Sequence, residues 1–232
     1  MPTPVTQKLT AWSYSRLQVY RKCPAQAKYK FIDKLPEPGS PAMDRGTAIH
    51  KLAEQYIKGE IKVLPKELKL FASEFKAIYK TKSEKLAEQD WAFTSAWKPT
   101  DWKDWAGAWV RVKVDLIERF TPATARMTDW KTGRQGLQDE PGTGVYEQLK
   151  LYATAGFKMW PELQEVECVG SYLDHGVEKK ETYTRKDLPK LVKYWDAESR
   201  GLMRETAFKP TPSHACTWCA YGKSKGGPCS FG

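Results

Sequence analysis

Three segments in the first third of the chain carry hydrophobic residues at helical spacing. In "AMDRGTAIHKLAEQYIKG" an apolar stripe precedes Gly59, the pattern of an amphipathic helix that ends at a glycine. "KELKLFASEFKAIYK" repeats the same period. The earlier "SYSRLQVYRKCPAQAKYKFI" has Ser13 as a candidate helix cap and Pro24 as a break. We therefore predict that this third is helical.

After Lys85 the pattern changes to short segments rich in aromatic and β-branched residues. "AEQDWAFTSAW", "GAWVRVKVDLIERF" and "ARMTDWKTG" predict strands. The second has four aliphatic residues at alternate positions, which predicts a shared face: Val110, Val112, Val114 and Leu116. "GVYEQLKLYATAGFKMW" predicts a helix, "EVECVGSYLDHGVEKKETYT" a hairpin turning at 174–176, and "RKDLPKLVKYWDAESRGLM" a last helix. Helices around a small mixed sheet are the simplest architecture.

Composition and charge narrow the class of protein. The 232 residues are 41% hydrophobic and 28% charged, as in ordinary globular domains. No apolar run approaches the roughly 20 residues that cross a bilayer, so we expect no membrane association and a cytoplasmic location. A net charge of +10 predicts a polyanionic partner. Residues 1–35 interleave basic and aromatic side chains, which suits DNA, although a solvated helix face with its aromatic rings in the core has the same composition.

"MTDWKTGR" carries an acid and a lysine two positions apart. Asp129 and Lys131 are predicted to share one face of a strand. Asp115 ends the preceding strand, and strand pairing brings its carboxylate towards that of Asp129. Two facing carboxylates repel unless a cation such as Mg²⁺ lies between them. Taken alone, the pattern favours a surface salt bridge.

Four motifs together resemble a known nuclease family. "VKVDLIER" followed by "MTDWKTGR" resembles the two strands of the PD-(D/E)xK nucleases. "RGTAIHKLAE" is similar to the G-x-x-x-H helix of their RecB-like branch, and "YEQLKLYA" to its Q-x-x-x-Y motif. This branch includes CRISPR adaptation nucleases and phage exonucleases. The motifs run from residue 46 to 152 in the family's order.

The resemblance implies a restriction-endonuclease-like α/β core that holds Mg²⁺ or Mn²⁺. The ligands that it implies are three side chains and one backbone carbonyl: His50, Asp115, Asp129 and the carbonyl of Trp130. Glu88, just ahead of the first predicted strand, is a further candidate ligand, and Glu84 and Asp90 compete for that role. A lone helix histidine, by contrast, is usually a surface or core residue.

The resemblance also assigns roles beside the metal. Lys131 would orient water or stabilise developing charge, while Gln148 and Tyr152 would position the DNA strand or support the lysine. On their own, a glutamine and a tyrosine four residues apart indicate only a shared helix face. The implied catalytic set has six members: Lys131, Asp129, Asp115, His50, Gln148 and Tyr152.

Four cysteines near the two ends form a second candidate site. One is early and three are late in the chain: Cys23, Cys216, Cys219 and Cys229. Four thiolates can hold an iron-sulfur cluster or a structural zinc. The arrangement resembles the [4Fe-4S] staple of RecB-like nucleases, although the nine residues between the last two cysteines are more than that family leads us to expect. With His214, the three late cysteines alone could bind zinc, whereas Cys168 is predicted to be a core residue.

Further residues are candidate DNA contacts. "WKPTDWKDWAGAW" is dense in tryptophans, which more often pack against a sheet than stack on bases. Trp102 and Trp105 have the most polar surroundings. The predicted contacts are four arginines and two tryptophans: Arg16, Arg21, Arg45, Arg134, Trp102 and Trp105.

The sequence as a whole predicts one nuclease domain over residues 1–232. Its parts are a basic N-terminal helix in 1–35, a catalytic core in 40–160 and a cysteine-rich tail in 208–232. The expected activity is a DNA exonuclease on single strands or duplex ends, in recombination, repair or phage DNA metabolism in the host cytoplasm. A CRISPR adaptation nuclease and a non-catalytic DNA-end clamp are the alternatives. Because the sequence has no helicase motif, unwinding would need a helicase or recombination partner.

Overall fold

The basic N-terminal segment consists of three short helical pieces. A computed structural model describes residues 8–134 and 138–232. It contains helix α1 (Tyr14–Lys22), helix α2 (Pro24–Ala27) and a π-helical turn (Lys28–Ile32). The break predicted at Pro24 is confirmed, because extended backbone at Cys23 (φ −163°) separates α1 from α2, which starts at Pro24, so the basic helix expected in 1–35 is not continuous. The part of that expectation in residues 1–7 lies outside the described residues.

The next two helices form the smaller core. Helix α3 (Pro41–Ile57) begins at Ser40, whose hydroxyl accepts a hydrogen bond from the backbone N–H of Met43. A 3₁₀ helix (Lys66–Phe71) leads into helix α4 (Ala72–Lys80). The apolar stripes of α3 and α4 pack on each other and on one face of the sheet, around Trp130. Each buried side chain of this size contributes about 1.5 to 3 kcal/mol by leaving water.

Six strands form one mixed sheet. They are β1 (Glu84–Phe93), β2 (Pro99–Thr100), β3 (Val110–Thr121), β4 (Thr124–Lys131), β5 (Glu165–Tyr172) and β6 (Val177–Thr184). Their order is β2-β1-β3-β4-β5-β6. Only β4 and β5 pair in parallel, because helix α5 (Val145–Met159) carries the chain back between them. A 3₁₀ turn (Arg185–Asp187) and helix α6 (Leu188–Arg204) follow. The hairpin turn at 174–176 is confirmed, whereas the two-residue β2 gave no sequence signal.

The two faces of the sheet bury separate cores. Val110, Val112 and Val114 lie in the larger core with α5 and α6, whereas Leu116 lies in the smaller one. The prediction that all four share a face is therefore wrong. The alternation of β3 shifts next to Glu88 of β1, whose positive φ of 52° interrupts the regular pleat.

Strands β3 and β4 separate at Asp115 and Asp129. Their pairing runs as far as Leu116 opposite Thr128, so Asp115 and Asp129 would be the next pair. Instead, the backbone N–H of Trp130 donates a 2.7 Å hydrogen bond to Oδ2 of Asp115. The carboxylate therefore takes the place of a ladder acceptor, and a gap opens between the strands. Among the described residues, no helix is long and apolar enough to span a membrane.

Candidate active site

Three side chains from different elements meet on the α3 side of this gap. His50 projects from α3, Glu88 from β1 and Asp115 from β3, and one ligand atom of each lies within 4.8 Å of the others. Nδ1 of His50 is 3.4 Å from Oδ1 of Asp115. One imidazole and two carboxylates at this spacing are a donor set for a divalent cation.

Glu88 reaches this group through an unusual backbone conformation. It lies inside β1, not ahead of it as the sequence predicted, and the register places it opposite Asp115. Its φ of 52° is in the left-handed region that side-chain-bearing residues rarely adopt. Strain of this kind costs about 1 to 3 kcal/mol and is concentrated at functional sites. The structure thus favours Glu88 over Glu84 and Asp90 as the acid nearest to the metal ligands.

Asp129 lies at the centre of a hydrogen-bonded network with α5. Its Oδ1 accepts hydrogen bonds from the hydroxyl of Tyr152 (2.6 Å) and from Nε2 of Gln148 (2.7 Å). Its Oδ2 lies 2.7 Å from Nζ of Lys131, which in turn donates a 2.7 Å hydrogen bond to Oε1 of Gln148. Asp129 and Lys131 therefore share one face of β4, and the two residues of the Q-x-x-x-Y segment hold both of them.

The charges in the gap are mutually unfavourable in the absence of a cation. Burial raises the pKa of Asp129; Lys131 acts against this rise, and the charge of Asp115 adds to it. Burial and Asp115 likewise raise the pKa of Glu88, with His50 opposing. Burial lowers the pKa of His50, but Asp115, Asp129 and Glu88 together raise it above its ordinary value. A bound cation would relieve the repulsion among the three carboxylates.

A buried carboxylate oxygen without a hydrogen-bond partner also fits a metal site, because its lone pairs are available to a cation. Oδ2 of Asp129 is buried and accepts no well-directed hydrogen bond, although Lys131 is close. Asp129 is outside the 4.8 Å group, so the structure brings together His50, Asp115 and Glu88 rather than the set expected from sequence. The ring of Trp130 packs in the smaller core, edge-on to His50 at 5.8 Å.

A cleft of about 820 Å³ opens on the other side of Lys131. Its walls are the start of α1, the edge of β3, the end of β4 and the start of α5. Gln148, Tyr152 and Trp102 are among its lining residues. The network around Asp129 is therefore next to a space large enough for a substrate.

The predicted DNA contacts divide into three groups of two. Arg16 and Trp102 line the cleft. Arg21 is paired with Glu147 and Glu198, and Arg45 with Asp174, so these two cations are already neutralised. Two members are exposed: Trp105 (67%) and Arg134. Arg111 also lines the cleft but was not selected from the sequence, because alternation places it on a strand face without indicating what lies opposite.

The two ends of the chain meet at the cysteines. Cys23, Cys216, Cys219 and Cys229 are all free thiols and line one small pocket between α2 and the C-terminal segment. The backbone N–H groups of Thr211 and Ser213 donate hydrogen bonds to Sγ of Cys23 and of Cys216. His214 does not line this pocket; its ring contacts Trp218 instead. Cys168 is fully buried in the larger core, as predicted.

Comparison with known proteins identifies the family. A family model for the PD-(D/E)XK nuclease superfamily matches residues 11–224, and the chain belongs to this superfamily. No curated protein sequence matches it. A solved structure named "putative exonuclease", from Eubacterium rectale, is 13% identical over 92% of this chain and 87% of its own, with a TM-score of 0.53. Another, SSO0001, is 15% identical over 91% and 83%, with a TM-score of 0.47. The resemblance of the sequence to the PD-(D/E)xK nucleases is thus confirmed at the level of the superfamily.

Proposed function

We propose that this chain is a metal-dependent deoxyribonuclease that uses Mg²⁺ or Mn²⁺ and acts as an exonuclease. The observation that carries the proposal is the meeting of His50, Glu88 and Asp115 within 4.8 Å, where β3 and β4 separate next to Lys131. Membership of the nuclease superfamily and the basic charge of the chain agree with it. The exonuclease part also takes support from the name of the Eubacterium rectale structure.

The proposed ligands are His50, Glu88 and Asp115, with Asp129 and the carbonyl of Trp130 completing the set. A divalent cation held there would activate water and a phosphoryl oxygen by Lewis-acid polarisation. Carboxylate and carbonyl oxygens, which make up most of this set, suit Mg²⁺ and Mn²⁺. The strained backbone of Glu88 supports its inclusion.

Lys131 would act on the scissile phosphate from the cleft side. Its ammonium donates one hydrogen bond to Oε1 of Gln148 and lies 2.7 Å from Oδ2 of Asp129, so N–H groups remain for a further partner. It would hold the attacking water or stabilise charge on the phosphoryl oxygens. Tyr152 and Gln148 would keep Asp129 fixed and so position the lysine.

We also propose that the four clustered cysteines bind a [4Fe-4S] cluster. Zinc with four thiolates at 2.3 Å would place their sulfur atoms about 3.8 Å apart. Within residues 8–134 and 138–232, only the His50 group has its ligand atoms within 4.8 Å of one another. Iron and sulfide atoms between the thiolates allow a wider spacing, and the position of His214 outside the pocket argues against the local zinc site.

The central test is degradation of end-labelled single- and double-stranded DNA with Mg²⁺ or Mn²⁺. We expect the parent to shorten DNA from its ends, and Lys131→Ala and Asp115→Asn to lose this activity. Asp90→Asn, on the same strand as Glu88 but paired with Lys113, is the control that retains activity. A parent that binds DNA and leaves it intact with either metal would be a clamp instead.

The cluster proposal needs a separate measurement. Anaerobically purified protein should be brown, with iron and sulfide in stoichiometric amounts, and Cys216→Ser should lose the colour. Cys168→Ala, a change at the core cysteine outside the pocket, should keep it. A colourless parent with one equivalent of zinc would refute the cluster.

A further inference from the structure

Two arginines of the cleft have no carboxylate within ion-pair distance among the described residues, although Asp139 also lines the cleft. Arg16 comes from α1 and Arg111 from β3, and both line the 820 Å³ space beside Lys131. Among the ion pairs of the described residues, within 4.0 Å, neither guanidinium has a carboxylate partner. Lys113, the other basic residue of this wall, is paired with Asp90 at 3.0 Å.

Arg111 is more than nine-tenths buried, and its guanidinium is oriented by several contacts. Only 8% of its surface is exposed, and Nε donates a 3.2 Å hydrogen bond to the carbonyl of Trp102. Nη2 lies 3.4 Å from the carbonyl of Asp104, and the ring of Trp105 covers the guanidinium at 4.7 Å. The carboxylate of Asp104 is bound by Thr100 and by the N–H of Gly107. The direct contacts of Arg111 are thus two backbone carbonyls and an aromatic ring, and the charge of Asp104 acts on it only from beyond ion-pair distance.

Arg16 is fixed in a similar way. Its Nη1 donates a 2.7 Å hydrogen bond to the carbonyl of Ala11, and its guanidinium lies over the ring of Phe31 at 5.3 Å. Burial lowers the pKa of Arg16, and the positive charge of Arg111 lowers it further. Two like charges are therefore kept close together in a partly desolvated wall, an arrangement that costs free energy until an anion binds between them.

We propose that Arg16 and Arg111 form a phosphate-binding subsite for a single DNA strand running through the cleft towards Lys131. This inference rests on the proposed nuclease function and adds the substrate class. Asp115 lies four residues beyond Arg111 on β3, about 13 Å along the strand. That distance corresponds to roughly four stacked nucleotides at about 3.4 Å each, or fewer in an extended strand.

The walls of the cleft also favour a single strand. A volume of about 820 Å³ is within the range of roughly 300 to 1,000 Å³ that encloses one small ligand. A short single-stranded segment can enter such a space. The ring of Trp102 faces the same space and offers a stacking surface for an unpaired base, an interaction that tolerates any sequence. The subsite would therefore position strands without reading their bases.

The test is binding of a fluorescein-labelled single-stranded oligothymidine and of a blunt duplex, measured by fluorescence anisotropy with EDTA present. The variants are Arg111→Gln and Arg16→Gln, with Lys66→Gln as an exposed, charge-matched control outside the cleft. Thermal unfolding of every variant checks its fold. Arg111→Lys keeps the charge but not the planar group and should fall between Arg111→Gln and the parent.

We expect each glutamine variant to bind the single strand about tenfold more weakly than the parent and the control. The slope of log affinity against log salt should decrease by about 0.7 for each lost phosphate contact. Arginine variants that bind like Lys66→Gln, in a parent that cleaves DNA, would overturn the subsite alone. Equal affinity for duplex and single strand would overturn the substrate class. A parent that neither binds nor cleaves DNA would overturn the proposed function as well.

Discussion

The hydroxyl of Tyr152 donates a 2.6 Å hydrogen bond to Oδ1 of Asp129, from helix α5 to strand β4. Both side chains are buried, so the bond is protected from water. Gln148, one turn earlier on α5, binds the same oxygen through its amide N–H. The helix therefore fixes the carboxylate from one side and leaves Oδ2 facing Lys131.

Removing the hydroxyl of Tyr152 should slow DNA cleavage strongly and lower the free energy of unfolding only slightly. In Tyr152→Phe, Asp129 keeps only the Gln148 hydrogen bond, so the carboxylate and Lys131 lose part of their orientation. We expect the DNA cleavage rate to fall roughly tenfold or more, as for other residues that orient metal ligands. The free energy of unfolding should decrease by about 1 kcal/mol for the lost hydrogen bond.

Tyr146→Phe is the matched control for that experiment. Tyr146 lies on the same helix and is also largely buried, with 9% of its surface exposed against 2% for Tyr152, but its hydroxyl makes no hydrogen bond to the described residues. We expect near-parental cleavage. A rate for Tyr152→Phe equal to that of Tyr146→Phe would show that Asp129 needs no support from the tyrosine.

Glu88 should show opposite effects on metal binding and on stability. Glu88→Gly removes a ligand but also relieves a non-glycine residue from a φ of 52°. We expect calorimetry to show weaker Mn²⁺ binding. In EDTA, the free energy of unfolding should increase by about 1 kcal/mol. Glu88→Gln keeps the strain, so it should lose metal affinity without the gain in stability. Unchanged Mn²⁺ affinity in both variants would remove Glu88 from the site.

The sequence predicted the elements better than it predicted their side-chain surroundings. The hydrophobic period located α3 because this helix buries one stripe of side chains, and the sequence also located β4 and α5 although both are buried on more than one side. The sequence also predicted that Asp129 and Lys131 share a face, because the pleat of a strand points residues i and i+2 to the same side. Leu116 was misplaced because a shift within β3 is set by its neighbour β1, which alternation along one strand does not encode. Arg111 was missed for the same reason, since its partners come from a loop and from α1.

Tyr172 provides a prediction about stability alone. Its side chain is fully buried, and its hydroxyl has no hydrogen-bond partner among the described residues. Burial raises the pKa of this hydroxyl to about 12, and the charges of Asp139 and Asp129 add to the shift. Because a buried unpaired polar group costs free energy, Tyr172→Phe should increase the free energy of unfolding by about 1 kcal/mol in urea denaturation.

Tyr14→Phe is the contrasting variant. The hydroxyl of Tyr14 donates a hydrogen bond to the carbonyl of Gly144, which ties α1 to the start of α5. This variant should therefore lose stability by about 1 kcal/mol. Destabilisation of similar size in Tyr172→Phe would mean that its hydroxyl has a partner, such as an ordered water.

The last prediction concerns an acid of α4 whose charged neighbours lie on strands of the sheet. Burial raises the pKa of Glu74 on α4 to about 7, and the neighbouring Glu178 and Glu118 add to the rise while Arg126 opposes it. The unfolded-state value is near 4.5, so the folded state binds a proton more tightly. The resulting stabilisation is fully present below pH 4.5 and is lost as the pH rises through 7.

The parent should therefore become less stable between pH 5 and 8, and Glu74→Gln should remove about 1 kcal/mol of that loss after allowance for partial solvent exposure. Glu178→Gln should remove a smaller part, because it deletes one source of repulsion but not the burial. The measurement is urea denaturation of the three proteins across this pH range in EDTA. Parallel pH profiles for the parent and Glu74→Gln would mean that Glu74 keeps its ordinary pKa and that another group accounts for any pH dependence.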